Sequence, residues 1–187
     1  MQYYKLMFDD NKKRKNDIML RPVIDVKNPY TLLYGQHIEE WNTIMFEYNP
    51  AEGHIQTDYM GNVYGWPILS EKAAKLFSGL IKNDIQMLPI KILNKDTRQA
   101  IDEYFVLNIL SLIEALDLEN SVYNYVITEG KKELAVIKYG IKETKVIDHH
   151  IFRLKESPFA IFVSKEFKKV AEDNTMLGME FLKVKMS

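Results

Sequence analysis

The chain has 187 residues, enough for one domain that buries about 70% of its unfolded surface without help from a disulfide or a metal. Its 25 Lys plus Arg stand against 26 Asp plus Glu, so the molecule as a whole has no electrostatic case for binding nucleic acid or an acidic membrane. It has no cysteine, which excludes disulfides, thiolate catalysis and cysteine-ligated zinc.

Tyr3 to Phe8 predicts an opening strand, and its surroundings have neither the basic start nor the apolar core of a signal peptide. Asp9 to Asn16, with Lys12-Lys13-Arg14-Lys15, predicts a solvated loop, since adjacent like charges repel and have no aromatic neighbours to form a phosphate site. From Pro22 to Gly65, prolines and glycines punctuate short mixed signals. Thr43 to Tyr48 and Ile55 to Met60 are the strand candidates there, with Gly61-Asn62 as a turn. Ser70 caps a helix whose Ala73, Leu76, Phe77, Leu80 and Ile81 form one apolar stripe.

Ile85 to Leu93 predicts a strand, with Pro89 marking an edge or a bulge because it has no N–H to donate. Tyr104 to Ile109 has the continuous apolar content of a central strand. Residues 110–116 predict a strand running into a helical turn, although periodicity leaves strand and helix open there. The apolar run Tyr104 to Leu116 falls short of the ~20 residues that span a bilayer, so the expectation is a soluble cytoplasmic protein. Tyr123 to Thr128, Leu134 to Tyr139 and Thr144 to Ile147 predict strands, with Glu129-Gly130-Lys131-Lys132 as a hairpin turn.

The last forty or so residues carry the densest signal. Ile151 to Leu154 and Ile161 to Val163 are β-branched and aromatic runs on either side of a Ser-Pro turn. Ser164 suits an N-cap, Phe167, Val170 and Ala171 share a helix face, and Gly178 permits re-entry into a strand through Val184. The expected class is α+β: largely antiparallel strands with two main helices at about 70–82 and 164–174. The chain reads as a single domain, 1–187, divisible near Gly65 into a strand-and-loop subdomain, 1–65, and a core, 66–187. Phe77, Leu80, Val106, Leu107, Phe152, Phe162 and Phe167 are the expected core.

The order of the closing pieces, with Trp66-Pro67-Ile68-Leu69-Ser70, Asp84 to Ile90, Tyr104 to Asn108 and Leu116 to Ser121 before them, resembles the Imm-MXAN type of bacterial polymorphic-toxin immunity protein, formerly a domain of unknown function. The resemblance covers roughly residues 60 to 187, with an echo at Gln2 to Leu6. It implies a cytoplasmic protein that binds and neutralises a cognate toxin stoichiometrically. It brings no catalytic motif that could be transferred residue by residue.

The residues themselves offer little chemistry. Asp148-His149-His150 supplies two ligands on one strand face without a third, and zinc takes three or four. Arg153, between Phe152 and Leu154, is expected on the opposite, solvent-facing side or in a structural ion pair. The Rossmann, P-loop, nucleophile-elbow, HExxH and EF-hand motifs are missing. No catalytic residue, metal or cofactor is therefore assigned, and an enzyme is not expected. The alternatives are a ligand-binding or regulatory module of the same fold, or a small hydrolase working through its histidines and carboxylates. Between Lys27 and Lys72 the sequence has six acids, no base, and both tryptophans. Glu39, Glu40, Trp41, Glu47, Tyr48 and Tyr59 are the candidate contacts to a toxin with a basic cleft.

Overall fold

A computed structural model describes residues 1–9, 16–128 and 130–187. The basic run Lys12-Lys13-Arg14-Lys15, and Glu129 of the hairpin turn, lie outside the described residues. In chain order the strands are β1 (Tyr3–Phe8), β2 (Met19–Pro22), β3 (Ile44–Tyr48), β4 (Tyr59–Asn62) and β5 (Ile68–Ser70). Helix α1 (Glu71–Ile81) follows, then β6 (Ile85–Asn94), β7 (Ala100–Ile109), β8 (Leu112–Ile113), β9 (Val122–Thr128), β10 (Lys131–Lys138) and β11 (Gly140–Ile141). The chain continues with β12 (Ile151–Leu154), β13 (Ser157–Ser164), α2 (Lys165–Asp173), β14 (Met179–Lys183) and β15 (Lys185–Met186).

The α+β expectation is corrected. The protein is mainly β: six strands close a barrel in the order β2-β3-β6-β7-β5-β4, and five more form a sheet in the order β14-β1-β13-β12-β8. The two helices lie within the expected spans but have only 11 and 9 residues. The barrel escapes a sequence reading because β2, β4 and β5 have only 4, 4 and 3 residues, too few for alternation to show. Its closure also depends on parallel pairings between distant segments, β3 with β6 and β2 with β4.

Gly61-Asn62, expected as a turn, is the end of β4. Gly61 pairs with Met19, and a Cβ there would lie 2.9 Å from both the Met19 methyl and the Phe8 ring, so the bare backbone allows the barrel to close against β1. Ile55 makes only an isolated bridge to Asp17, and the strand begins four residues later at Tyr59. Thr144 to Ile147 is not a strand: Glu143–Lys145 forms a short 3-10 turn. Residues 110–116 form no helical turn, since Leu112–Ile113 pairs in parallel with β12 and Leu116 bridges to Ile141. Pro89 sits one residue before β3 begins to pair with β6, and a bulge follows between Ile90 and Ile92. The missing N–H is therefore not needed there.

Both helices start on a serine cap. The Ser70 and Ser164 hydroxyls accept from the Ala73 and Phe167 amides at 3.2 and 3.1 Å. The first helix buries Ala73, Ala74, Phe77 and Ile81, whereas Leu76, expected in the stripe, is 40% exposed. Leu80 is only partly buried, and Phe77, Val106, Leu107, Phe152, Phe162 and Phe167 are fully buried as expected.

Three apolar clusters organise the molecule. Phe46, Met60, Ile68, Leu88, Ile90 and Val106 help fill the barrel. A second cluster joins the barrel's outer wall (Tyr59, Leu69, Leu107) to both helices and to one face of the sheet (Leu6, Ile161, Val163). The third packs Tyr3, Phe152 and Phe162 on the other sheet face against Leu116, Ile141 and Val146. The sheet is thus covered on both sides. Gly178 fixes the approach of sheet to barrel: φ is +89°, and a Cβ there would stand 2.2 Å from the Tyr59 carbonyl.

Phe77 of α1 stacks on Phe167 of α2 with ring centroids 3.8 Å apart and planes 8° from parallel. Phe77→Ala and Phe167→Ala should each cost on the order of 3–5 kcal/mol in urea unfolding, through lost burial and the residual cavity. Strict additivity in the double variant would show that the two rings do not support one another.

Candidate functional site

The polar side chains that suggested chemistry are held by the fold. Asp84 is buried and accepts from the Ser111 hydroxyl at 2.5 Å, and it lies 2.6 Å from His149 Nδ1. The Tyr3 hydroxyl donates to the carbonyls of Val146 and His149, which fixes the turn carrying that imidazole. His150 Nδ1 lies 2.8 Å from Ser164 Oγ, so the same serine caps α2 and holds the histidine. The two rings of Asp148-His149-His150 therefore reach separate partners. Among the described residues no group of three or more His, Asp or Glu is placed to hold a metal ion.

Arg153 is corrected from a solvent-facing residue to one only 2% exposed. Alternation did place it opposite Phe152: it faces Ile161 and Leu112 across the strands, while Phe152 faces Phe162. The inference failed at the next step, because both faces of this sheet are covered. Its Nη1 donates to the Pro158 and Phe159 carbonyls at 2.6 and 3.2 Å, and its Nε has no partner. Burial pushes the guanidinium down to about 10, with Tyr59 opposing the shift, so the side chain remains charged at neutral pH.

The six candidate contact residues lie on three segments, the loop before β3, β3 itself and β4. Gln86 grips the backbone of Ile38 from both sides, accepting from its N–H at 2.9 Å and donating to its carbonyl at 2.8 Å. Trp41 Nε1 donates to the Pro89 carbonyl at 2.8 Å. These bonds pin the loop to the barrel, leaving Glu39 and Glu40 exposed and Trp41 half-buried against Trp66. Beside Trp41 lies a shallow depression of ≈ 480 Å³ lined in part by Ile24 and Met45. Glu47 instead pairs with Arg98 at 3.1 Å, and Tyr48 accepts from Asn94 at 3.2 Å. Glu52, from the same acidic window, pairs with Arg21 at 3.3 Å. Tyr59 is 5% exposed and belongs to the cluster between barrel and sheet. Sequence order concealed these pairings, because the bases that answer the acids lie outside the base-free stretch.

The strands expected at Tyr123 to Thr128 and Leu134 to Tyr139 form as β9 and β10, and only their exposure was not anticipated. β9 and β10 form a two-stranded hairpin that leaves Val122, Tyr125, Val126, Ile127 and Ile137 between 45 and 81% exposed. At its base, Asp117 accepts from the Glu119 and Asn120 amides and from Asn120 Nδ2. Hydrogen bonds from Ser187 and Asn120 hold its carboxyl down to about 2. The signal available was the run of apolar residues on both faces of Val122 to Thr128, which a half-buried strand does not require.

A model of the immunity protein family Imm11 matches residues 4–186. The chain belongs to the Imm11 immunity protein family. It is therefore an immunity protein, one that neutralises a toxin, and the resemblance read from the closing segments is borne out. The match to Imm11 also extends well N-terminal of residue 60, taking in β1 and the first strands of the barrel. No curated protein matches the chain. No helix among the described residues of this Imm11 member is long and apolar enough to cross a membrane.

Burial pushes the phenols of Tyr3, Tyr59 and Tyr104 up to about 12 from 10.0. Between those values the unfolded chain releases protons that the folded chain keeps, so stability falls as pH rises through this window. Arg153 acts in the opposite sense, because the folded chain gives up its proton first. With three phenols against one guanidinium, the net expectation is a fall in the urea midpoint between about pH 10 and 12. Tyr104→Phe should reduce that slope, and an unchanged slope would mean that Tyr104 titrates normally.

Proposed function

We propose that this immunity protein neutralises its toxin by stoichiometric binding and not by catalysis. Membership of the Imm11 family carries the reading. The site geometry supports it, since His149, His150 and Arg153 are engaged by Asp84, Ser164 and two backbone carbonyls. Protection by a stoichiometric inhibitor scales with the molar ratio of inhibitor to toxin. Titrating the cognate toxin with the purified chain should reduce its activity linearly to an end point at equal concentrations. Clearance of many toxin molecules per chain would overturn the binding reading. His37→Gln with His54→Gln should leave the titration unchanged, because neither ring is held in the core.

Glu39 and Glu40 are proposed as steering charges for a basic region of the toxin. They are exposed, and among the described residues His37 Nδ1 lies 3.7 Å from a Glu39 carboxylate oxygen. Reversing both to Lys should slow association roughly tenfold at low salt, an effect that shrinks as ionic strength rises. An on-rate that stays the same at low salt would remove them from the encounter surface.

A further inference from the structure

The hairpin and the five-stranded sheet enclose a slot. β10 and β14 run in the same direction and meet at their C-terminal ends, where Gly140 and Ile141 pair in parallel with Lys185 and Met186, and Lys185 N–H donates to the Tyr139 carbonyl at 3.1 Å. Upstream of that vertex the two strands separate. Among the described residues β10 pairs only with β9, and β14 only with β1. Each therefore has one backbone edge without a strand partner among the described residues. An unpaired edge is a template for another strand.

The slot has a volume of ≈ 490 Å³. Its apolar lining includes Val122, Ile137 and Leu182, which are 50, 58 and 53% exposed, together with Tyr139. Its polar lining is Asn120 and four lysines, Lys5, Lys138, Lys183 and Lys185, with no carboxylate. None of the four lysines forms an ion pair among the described residues; Lys5 lies 5.7 Å above the Tyr139 ring. Asp117, three residues before Asn120, is committed to its own turn, and Glu119 is exposed and does not line the slot. Four unanswered cations around exposed apolar side chains, on a molecule of net charge −1, mark a local field of sign opposite to the whole.

We propose that this slot seats an extended, acidic segment of the toxin, which adds a strand to the edge of β10 or β14. Its carboxylates face the lysines, and alternate apolar side chains pack on Ile137, Tyr139 and Leu182. Strand addition suits the site because main-chain hydrogen bonds supply affinity while alternating pockets supply selectivity. The proposal rests on the direct-binding reading above and specifies which surface holds the partner.

The test uses the full chain and an inactivated form of its cognate toxin. K138E/K183E/K185E is compared with K72E/K82E/K155E, which makes the same change in net charge at exposed lysines outside the slot. The slot variant should bind roughly 100-fold more weakly at low salt, mainly through faster dissociation, while the control keeps the wild-type off-rate. Hydrogen exchange on the wild-type complex should show new protection over 132–138, 179–183 or both. Equal affinities for the two variants, or no new protection at either edge, would overturn the slot while leaving direct binding intact, because the wild-type chain still binds. If the wild-type chain does not bind the toxin at all, both the slot and the direct-binding reading fail.

Discussion

The apolar seam between the barrel and the five-stranded sheet is the constraint on which the remaining structure depends. Tyr59, Leu69 and Leu107 reach it from the barrel wall, Leu6, Ile161 and Val163 from the sheet, and Phe77 and Phe167 from the helices that flank it. A barrel has no free edge and can satisfy its own backbone, but an open sheet with one bare apolar face cannot stay in water. The seam covers that face. It also explains why the helices can be so short: the roughly 12 residues that mark the marginal length of an isolated helix exceed either of them, so their stability comes from docking. The same seam encloses Arg153, whose charge is retained at the cost of an unpaired Nε.

Local features were legible in the sequence, and closure was not. Ser70 and Ser164 announced their helices because capping is a short-range bond between a hydroxyl and an amide three residues on. Phe152 and Phe162 announced a core because each sits in a short β-branched and aromatic run bounded by turn residues. The parallel register of β3 on β6, the two-residue strand at Leu112–Ile113 and the covering of both sheet faces are all non-local, and no period in the chain encodes them. Arg153 shows the boundary between the two. Its side of the strand was readable, but its burial depended on which element would come to lie over that side.

The candidate surfaces divide in the same way. A base-free stretch of sequence looked like an acidic face, yet Arg21 and Arg98 fold back onto Glu52 and Glu47 and leave only a narrow strip of negative charge. The lysines around the slot come from three regions, Lys5, Lys138 and the pair Lys183 and Lys185, none of which is a basic cluster in sequence. Charge patterning along a chain predicts solvation well and surface potential poorly, because the potential is set by residues that folding brings together. For an immunity protein, whose role is recognition, the relevant pattern is the folded one.

The position of β1 has a consequence for how the protein is made. Residues Tyr3–Phe8 lie between β13 and β14, strands that belong to the last thirty or so residues of the chain. The N-terminal strand leaves the ribosome first, so β1 waits for β13 until residue 164 has left the exit tunnel and for β14 until residue 183 has. The barrel segments can associate before β13 and β14 emerge, but the sheet can close only after them, and the seam forms with it. Newly made chains therefore pass through a stage in which the barrel's outer wall and β1 are both without their final cover.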